Sequence, residues 1–124
     1  MQHEFAQKWR QLAPQISERA GYQEHWRDLC SLLDQPTPSS DETGQRYAFE
    51  KHVKKAGTGE TGYADVYLRD HFIVEYKAAG QQLGKALQQA LLYARELDNP
   101  PLLVVCDFLT IQIHTNFTGT PQMI

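Results

Sequence analysis

The sequence predicts an α/β domain: a mixed β-sheet flanked by helices, in the core order helix–strand–strand–strand–helix–strand. Three observations carry this. Tyr63–Leu68 and His71–Lys77 are strand-like runs joined by the tight turn Arg69-Asp70. Gln81–Leu97 sets Leu83, Leu87, Ala90, Leu91, Ala94 and Leu97 along one side at helical spacing. Leu102–Cys106 is wholly apolar, which suits a strand covered on both faces.

The other elements follow in chain order. Residues 3–12 place Phe5, Trp9 and Leu12 on one helical face, and Pro14 ends that helix. A second helix is expected from about Tyr22 to Leu33, its buried stripe made by Tyr22, Trp26, Leu29, Cys30 and Leu33. Gln35–Gly44 holds two prolines, a glycine and small polar residues, and reads as a surface loop. Tyr47–Val53 alternates Tyr47, Phe49 and Val53 with polar residues and fits a strand better than a short helix. Gly57–Gly62 carries three glycines and reads as a flexible turn; its spacing is not that of a Walker A loop. Gly80 ends the strand of Lys77, and Asp98-Asn99-Pro100-Pro101 stops the long helix. Thr110–His114 alternates and suits a last strand near an edge.

Composition narrows the function. The chain has 124 residues, 41% of them hydrophobic, enough for a single domain spanning 1–124. Its net charge of −3 is unusual for a protein that binds nucleic acid alone, because Lys and Arg contacts to phosphate dominate such affinity. Cys30 and Cys106 lie in apolar runs and read as reduced core cysteines. The five histidines are scattered, and no zinc-ligand spacing occurs. No run is long enough to cross a membrane, and no secretory leader opens the chain.

The residues with chemistry to offer are Asp65, Glu75 and Lys77. Glu75 and Lys77 are two apart on one strand and share a face. Asp65 lies on the neighbouring strand, where hairpin pairing brings it beside Glu75. Two close carboxylates repel each other unless a cation sits between them. Mg²⁺, with Mn²⁺ as substitute, answers this with oxygen ligands from Asp65, Glu75 and the Tyr76 backbone carbonyl. Lys77 is then placed to orient an attacking water or to steady transition-state charge. The apolar frame of Phe72-Ile73-Val74 and Ala64/Val66 argues for a purpose, since buried charges are costly without partners. Gln89 and Tyr93, four apart, form an accessory pair able to hold Lys77 or a DNA phosphate, with the polar border of an amphipathic helix as the alternative. Glu50, and less so Glu24, are further candidates to hold a metal-bound water.

This pattern, an acid followed ten positions later by Glu-x-Lys, is that of the PD-(D/E)XK metal-dependent phosphodiesterases, whose restriction-endonuclease-like core has the predicted element order. Beyond it, the chain resembles the N-terminal endonuclease domain of MmeI-like (type IIL/IIG) restriction-modification proteins. The likeness runs from about Phe5 to Gly119. Its carriers are Phe5–Trp9, His25–Leu33, Tyr47–Glu50, Tyr63–Val66, Glu75–Lys77, Asn99–Asp107 and Ile113–Thr118. Gln89 and Tyr93 also resemble the Gln-x-x-x-Tyr motif of RecB-type nucleases. The resemblance implies a Mg²⁺-dependent endonuclease acting on double-stranded DNA in the bacterial cytoplasm, with Asp65, Glu75 and Lys77 catalytic. It implies fusion to an S-adenosylmethionine-dependent methyltransferase and a target recognition domain. No methyltransferase motif occurs here, so the chain is expected to be an excised N-terminal part of such a protein. Cutting both strands then implies a transient dimer on DNA. Two alternatives stay open: a non-catalytic DNA-binding or assembly module of the same fold, and a nuclease for RNA or single strands.

Overall fold

A computed structural model describes residues 2–54, 59–116 and the backbone of 122–123. Gly57 and Thr58 of the expected glycine turn lie outside the described residues, as do residues 117–120. The chain forms helices α1 (Gln2–Leu12) and α2 (Glu18–Leu32), then strands β1 (Tyr47–Lys54), β2 (Thr61–Leu68) and β3 (Phe72–Tyr76). Helix α3 (Leu83–Glu96) follows, then β4 (Leu102–Cys106), β5 (Ile111–Thr115) and the two-residue β6 (Gln122–Met123). This is an α/β fold with a mixed sheet, as the patterning predicts.

The sheet order is β1-β2-β3-β4-β5-β6. Among the described residues, only β3 and β4 pair in parallel, and α3 makes the crossover between them; the other neighbours are antiparallel. Helices α1 and α2 cover one face, packing Trp9, Tyr22, Trp26 and Cys30 on Tyr47, Val66, Val74, Tyr76 and Cys106. Helix α3 covers the other face, packing Ala90, Tyr93 and Ala94 on Val53, Ala64, Tyr67, Ile73 and Leu103. Both cysteines are buried and free. No helix among the described residues is long and apolar enough to cross a membrane.

Both ends of α2 differ from expectation, and α3 spans Leu83–Glu96 where Gln81–Leu97 was expected. Helix α2 begins at Glu18, not near Tyr22, because Ser17 caps it: the Ala20 N–H donates to Ser17 Oγ at 3.1 Å. The early start brings Gly21 into the helix, where a Cβ would press on Ile16 and, at 3.2 Å, on Phe108. Leu33 is not on the buried stripe. It is the C-cap, leaves helical phase at ψ 3°, and stands 57% exposed. His25 joins Tyr22, Trp26 and Cys30 on the buried stripe, and Leu29 packs half-buried against it.

Candidate active site

The sheet forks where the acids lie. Strands β2 and β3 pair from Leu68↔Phe72 up to Val66↔Val74, and the ladder stops there. The next pair in register would be Asp65 opposite Glu75. Beyond that point β2 continues on β1 while β3 continues on β4. The opened edge of β3 is not left bare: the Tyr76 N–H donates to Asp65 Oδ2 at 2.8 Å. The Lys77 N–H turns the other way and donates to the Cys106 carbonyl at 2.8 Å. Within a strand the N–H and C=O of one residue point to the same side. The Tyr76 carbonyl therefore also faces the fork.

Strand β1 distorts at the same level. Phe49↔Val66 and Lys51↔Ala64 are paired, but Glu50 and Asp65 between them are not. Glu50 has φ 53°, a left-handed conformation that a glutamate rarely holds without outside support. Side-chain alternation slips in both strands here. Phe49 and Val66 pack toward α2, whereas Val53 and Ala64 pack toward α3. The slip leaves Glu50 and Asp65 both on the α2 side. They line one cavity of about 370 Å³ with Glu18, Arg19, Tyr22 and Tyr63.

Asp65 and Glu75 are strongly coupled. Glu75 is 3% exposed, its carboxyl is hydrogen-bonded to that of Asp65, and its Oε1 has no hydrogen-bond partner. Burial first, and then the Asp65 charge, push the Glu75 carboxyl well above the usual range. Burial also raises Asp65, against the hydrogen bonds from Glu75 and the Tyr76 N–H. Burial accounts for the upward direction of both acids, and at Glu75 the neighbouring Asp65 charge adds to it. The charge of Lys77 acts on both acids, pulling each back down. Lys77 lines a separate cavity of about 340 Å³ with Gly80, Gln81, Gln82 and Lys85, at the start of α3.

Glu18 was not singled out by the sequence. It is half-buried in the first turn of α2, and its carboxylate accepts the Ala78 N–H. Burial raises it, the Lys77 charge lowers it, and the Asp65 charge raises it again. The missed signal was the N-cap Ser17, which would have put Glu18 at a helix start beside the strand ends. Glu50 lines the same cavity as Asp65, with the Tyr22 hydroxyl hydrogen-bonded to its carboxylate. Glu24 does not: its carboxylate pairs with Lys8 at 2.8 Å, and Lys8 also holds Asp28 at 2.7 Å. The six residues from Glu18 to Glu24, about 1.7 turns, carry it around the helix from the cavity to the α1–α2 seam. The Gln89 amide donates to the Tyr93 hydroxyl at 2.8 Å. Tyr93 is 2% exposed, beneath Gly62 of β2, where any side chain would collide with its hydroxyl. Tyr93, expected with Gln89 as an accessory pair or, alternatively, as a polar border, thus lies on the buried face of α3.

Among the described residues, no three His, Cys, Asp or Glu side chains gather as a metal-binding group. Two carboxylates plus a backbone carbonyl remain, and Mg²⁺ is commonly held by one or two carboxylates while keeping several waters. The unpartnered Oε1 of buried Glu75, on a carboxyl that lies beside a second acid, fits a cation.

The fold and this acid pair define an α/β domain with a paired-carboxylate site. The family of the MmeI N-terminal domain matches residues 1–123, and the chain belongs to that family. This associates it with MmeI-like restriction-modification proteins. No curated protein and no solved structure matches the chain.

Proposed function

We propose that the chain is a Mg²⁺-dependent DNA endonuclease domain with a PD-(D/E)XK core, working within a type IIL/IIG restriction-modification protein. The observation that carries the reading is the coupled acid pair at the fork, Asp65 with Glu75, within reach of the Lys77 charge. Family membership supports it independently.

Asp65, Glu75 and the Tyr76 carbonyl would hold the ion, with Glu50 and Glu18 placed to hold water around it. Bound there, Mg²⁺ would polarise a phosphodiester and make a water more acidic. Lys77 would orient that water and offset the negative charge that grows on the phosphate. The water oxygen bonds to phosphorus, the P–O ester bond breaks, and the departing oxygen takes up a proton. The Tyr76 N–H keeps Asp65 aimed into the fork throughout. The downstream methyltransferase, with its S-adenosylmethionine, and the target recognition domain would choose the site. A second copy meeting the first on DNA would cut the other strand.

Incubating the purified chain with plasmid DNA tests this. Nicking should appear with Mg²⁺ or Mn²⁺ and fall at least about 100-fold in Asp65→Ala and in Lys77→Ala. Nicking that survives both changes would reject the assigned residues. Metal binding without nicking would favour the non-catalytic module.

A further inference from the structure

Lys77 connects the acid pair to a second cavity of opposite charge. On one side its charge acts on Asp65, Glu75 and Glu18. On the other it lines the cavity of about 340 Å³ with Gly80, Gln81, Gln82 and Lys85, a wall without a carboxylate. Lys85 is exposed and takes no ion pair among the described residues, whereas Lys8 is held by Glu24 and Asp28, and Arg69 by Asp98. It stands in the first turn of α3, which has no acid, and the side chain of the N-cap Gln82 makes no capping bond. Gly80 and Gly84 leave open space beside them. An ammonium next to free helix N–H groups and a second lysine is disfavoured until an anion joins them.

We infer that this cavity grips a backbone phosphate of duplex DNA beside the scissile one, with Lys85 as its charged contact and the Gln81 and Gln82 amides as further donors. The inference rests on the nuclease reading above and deepens it by naming the residue that positions the duplex. The charge of Lys77 is already answered by three carboxylates, so Lys85 supplies the net positive charge of the cavity. The whole chain carries −3, so its attraction for phosphate has to be local. Phosphates lie on the outside of the duplex and are reached with every base pair intact. Contacts to them fix register and orientation and carry no sequence information. That suits a cutting domain whose site is chosen by another domain. The two sides of Lys77 then divide one strand between them: the acid pair takes the scissile phosphate through its ion, and Lys85 takes a neighbour.

The test uses the full chain without divalent metal and a fluorescein-labelled DNA duplex, with anisotropy followed from about 50 to 200 mM salt. Lys85→Ala should lose about 5- to 20-fold in affinity at the low-salt end and flatten the salt slope by about one, and Lys85→Arg should keep both. Arg95→Ala removes the same charge from the far end of α3, about 15 Å along the helix, and should change the slope by less than half as much. With Mg²⁺ present, Lys85→Ala should raise KM for plasmid nicking and leave kcat within about threefold. Lys85→Ala binding within about twofold of wild type, an equal loss in Arg95→Ala, or no duplex binding by wild type would overturn the inference. Its failure is separable from that of the nuclease reading. Asp65-dependent nicking with Lys85-independent binding removes only the phosphate grip. Lys85-dependent duplex binding with no nicking by wild type leaves the grip and removes the nuclease.

Discussion

Tyr76 touches two buried polar groups that have opposite fates. Its hydroxyl lies 2.8 Å from His25 Nδ1, and its backbone N–H holds Asp65, which is bonded to Glu75. His25 and Glu75 are both nearly inaccessible, at 1% and 3%, and each has one atom without a partner, Nε2 and Oε1. Around His25 stand the rings of Phe5, Trp9, Tyr76 and Phe108. Burial lowers it to about 4, so at neutral pH it is an uncharged core residue. Around Glu75 stand a second carboxylate and a lysine, at the mouth of a split sheet. Burial alone therefore does not distinguish a packing residue from a working one. The distinction lies in whether a like charge has been built in next to it, because like charges cost stability that packing cannot recover.

The His25 side of the contrast carries the largest expected effect. Its folded pKa of about 4 lies below the unfolded value of 6.5, so the unfolded chain binds the extra proton between those values. The neutral imidazole's contribution is complete above pH 6.5 and shrinks as pH falls toward 4, by about 3 kcal/mol in all. Asp65, Glu75 and Glu18 are raised and act with the opposite sign, so the difference from His25→Phe isolates the histidine. Urea unfolding at several pH values should show wild type losing that increment between pH 6.5 and 4 relative to the variant. Parallel pH profiles would mean that His25 is charged or exposed.

Glu75 should respond in the other direction. In the metal-free protein at neutral pH, Glu75→Gln removes a carboxyl that resists ionisation and leaves an amide able to donate to Asp65. Thermal unfolding should show a gain of about 1–2 kcal/mol, together with loss of nicking. A loss of stability would place Glu75 with the packing residues and dissolve the contrast.

Much of the fold was legible because its signals are local. The α3 stripe, the all-apolar β4 and the hairpin around Arg69-Asp70 each follow from spacing or composition over a few residues. That Asp65 lies beside Glu75 was legible for the same reason, whereas Lys77, expected on the strand with Glu75, follows the end of β3 and lines a separate cavity. The rest depends on pairing between distant segments. Nothing near Glu50 announces that β1 and β2 slip together there, because the cause is Asp65 turning into the fork on the next strand. Glu18 was hidden by the misplaced start of α2. Glu24 stood only slightly behind Glu50 as a candidate until the α1–α2 seam supplied Lys8 as its partner. Tyr93 lies inside rather than on a border because Gly62, 31 residues earlier, makes room for its hydroxyl.

The proposed divalent ion would bind between Asp65 and Glu75 and displace protons from acids whose ionisation burial opposes. Calorimetric titration of the metal-free chain with Mg²⁺, in two buffers of different ionisation enthalpy, measures this directly. Binding should release protons below neutral pH, tighten as pH rises through the elevated range of Glu75, and vanish in Asp65→Asn. Equal Mg²⁺ binding by wild type and Asp65→Asn, or none by either, would contradict it.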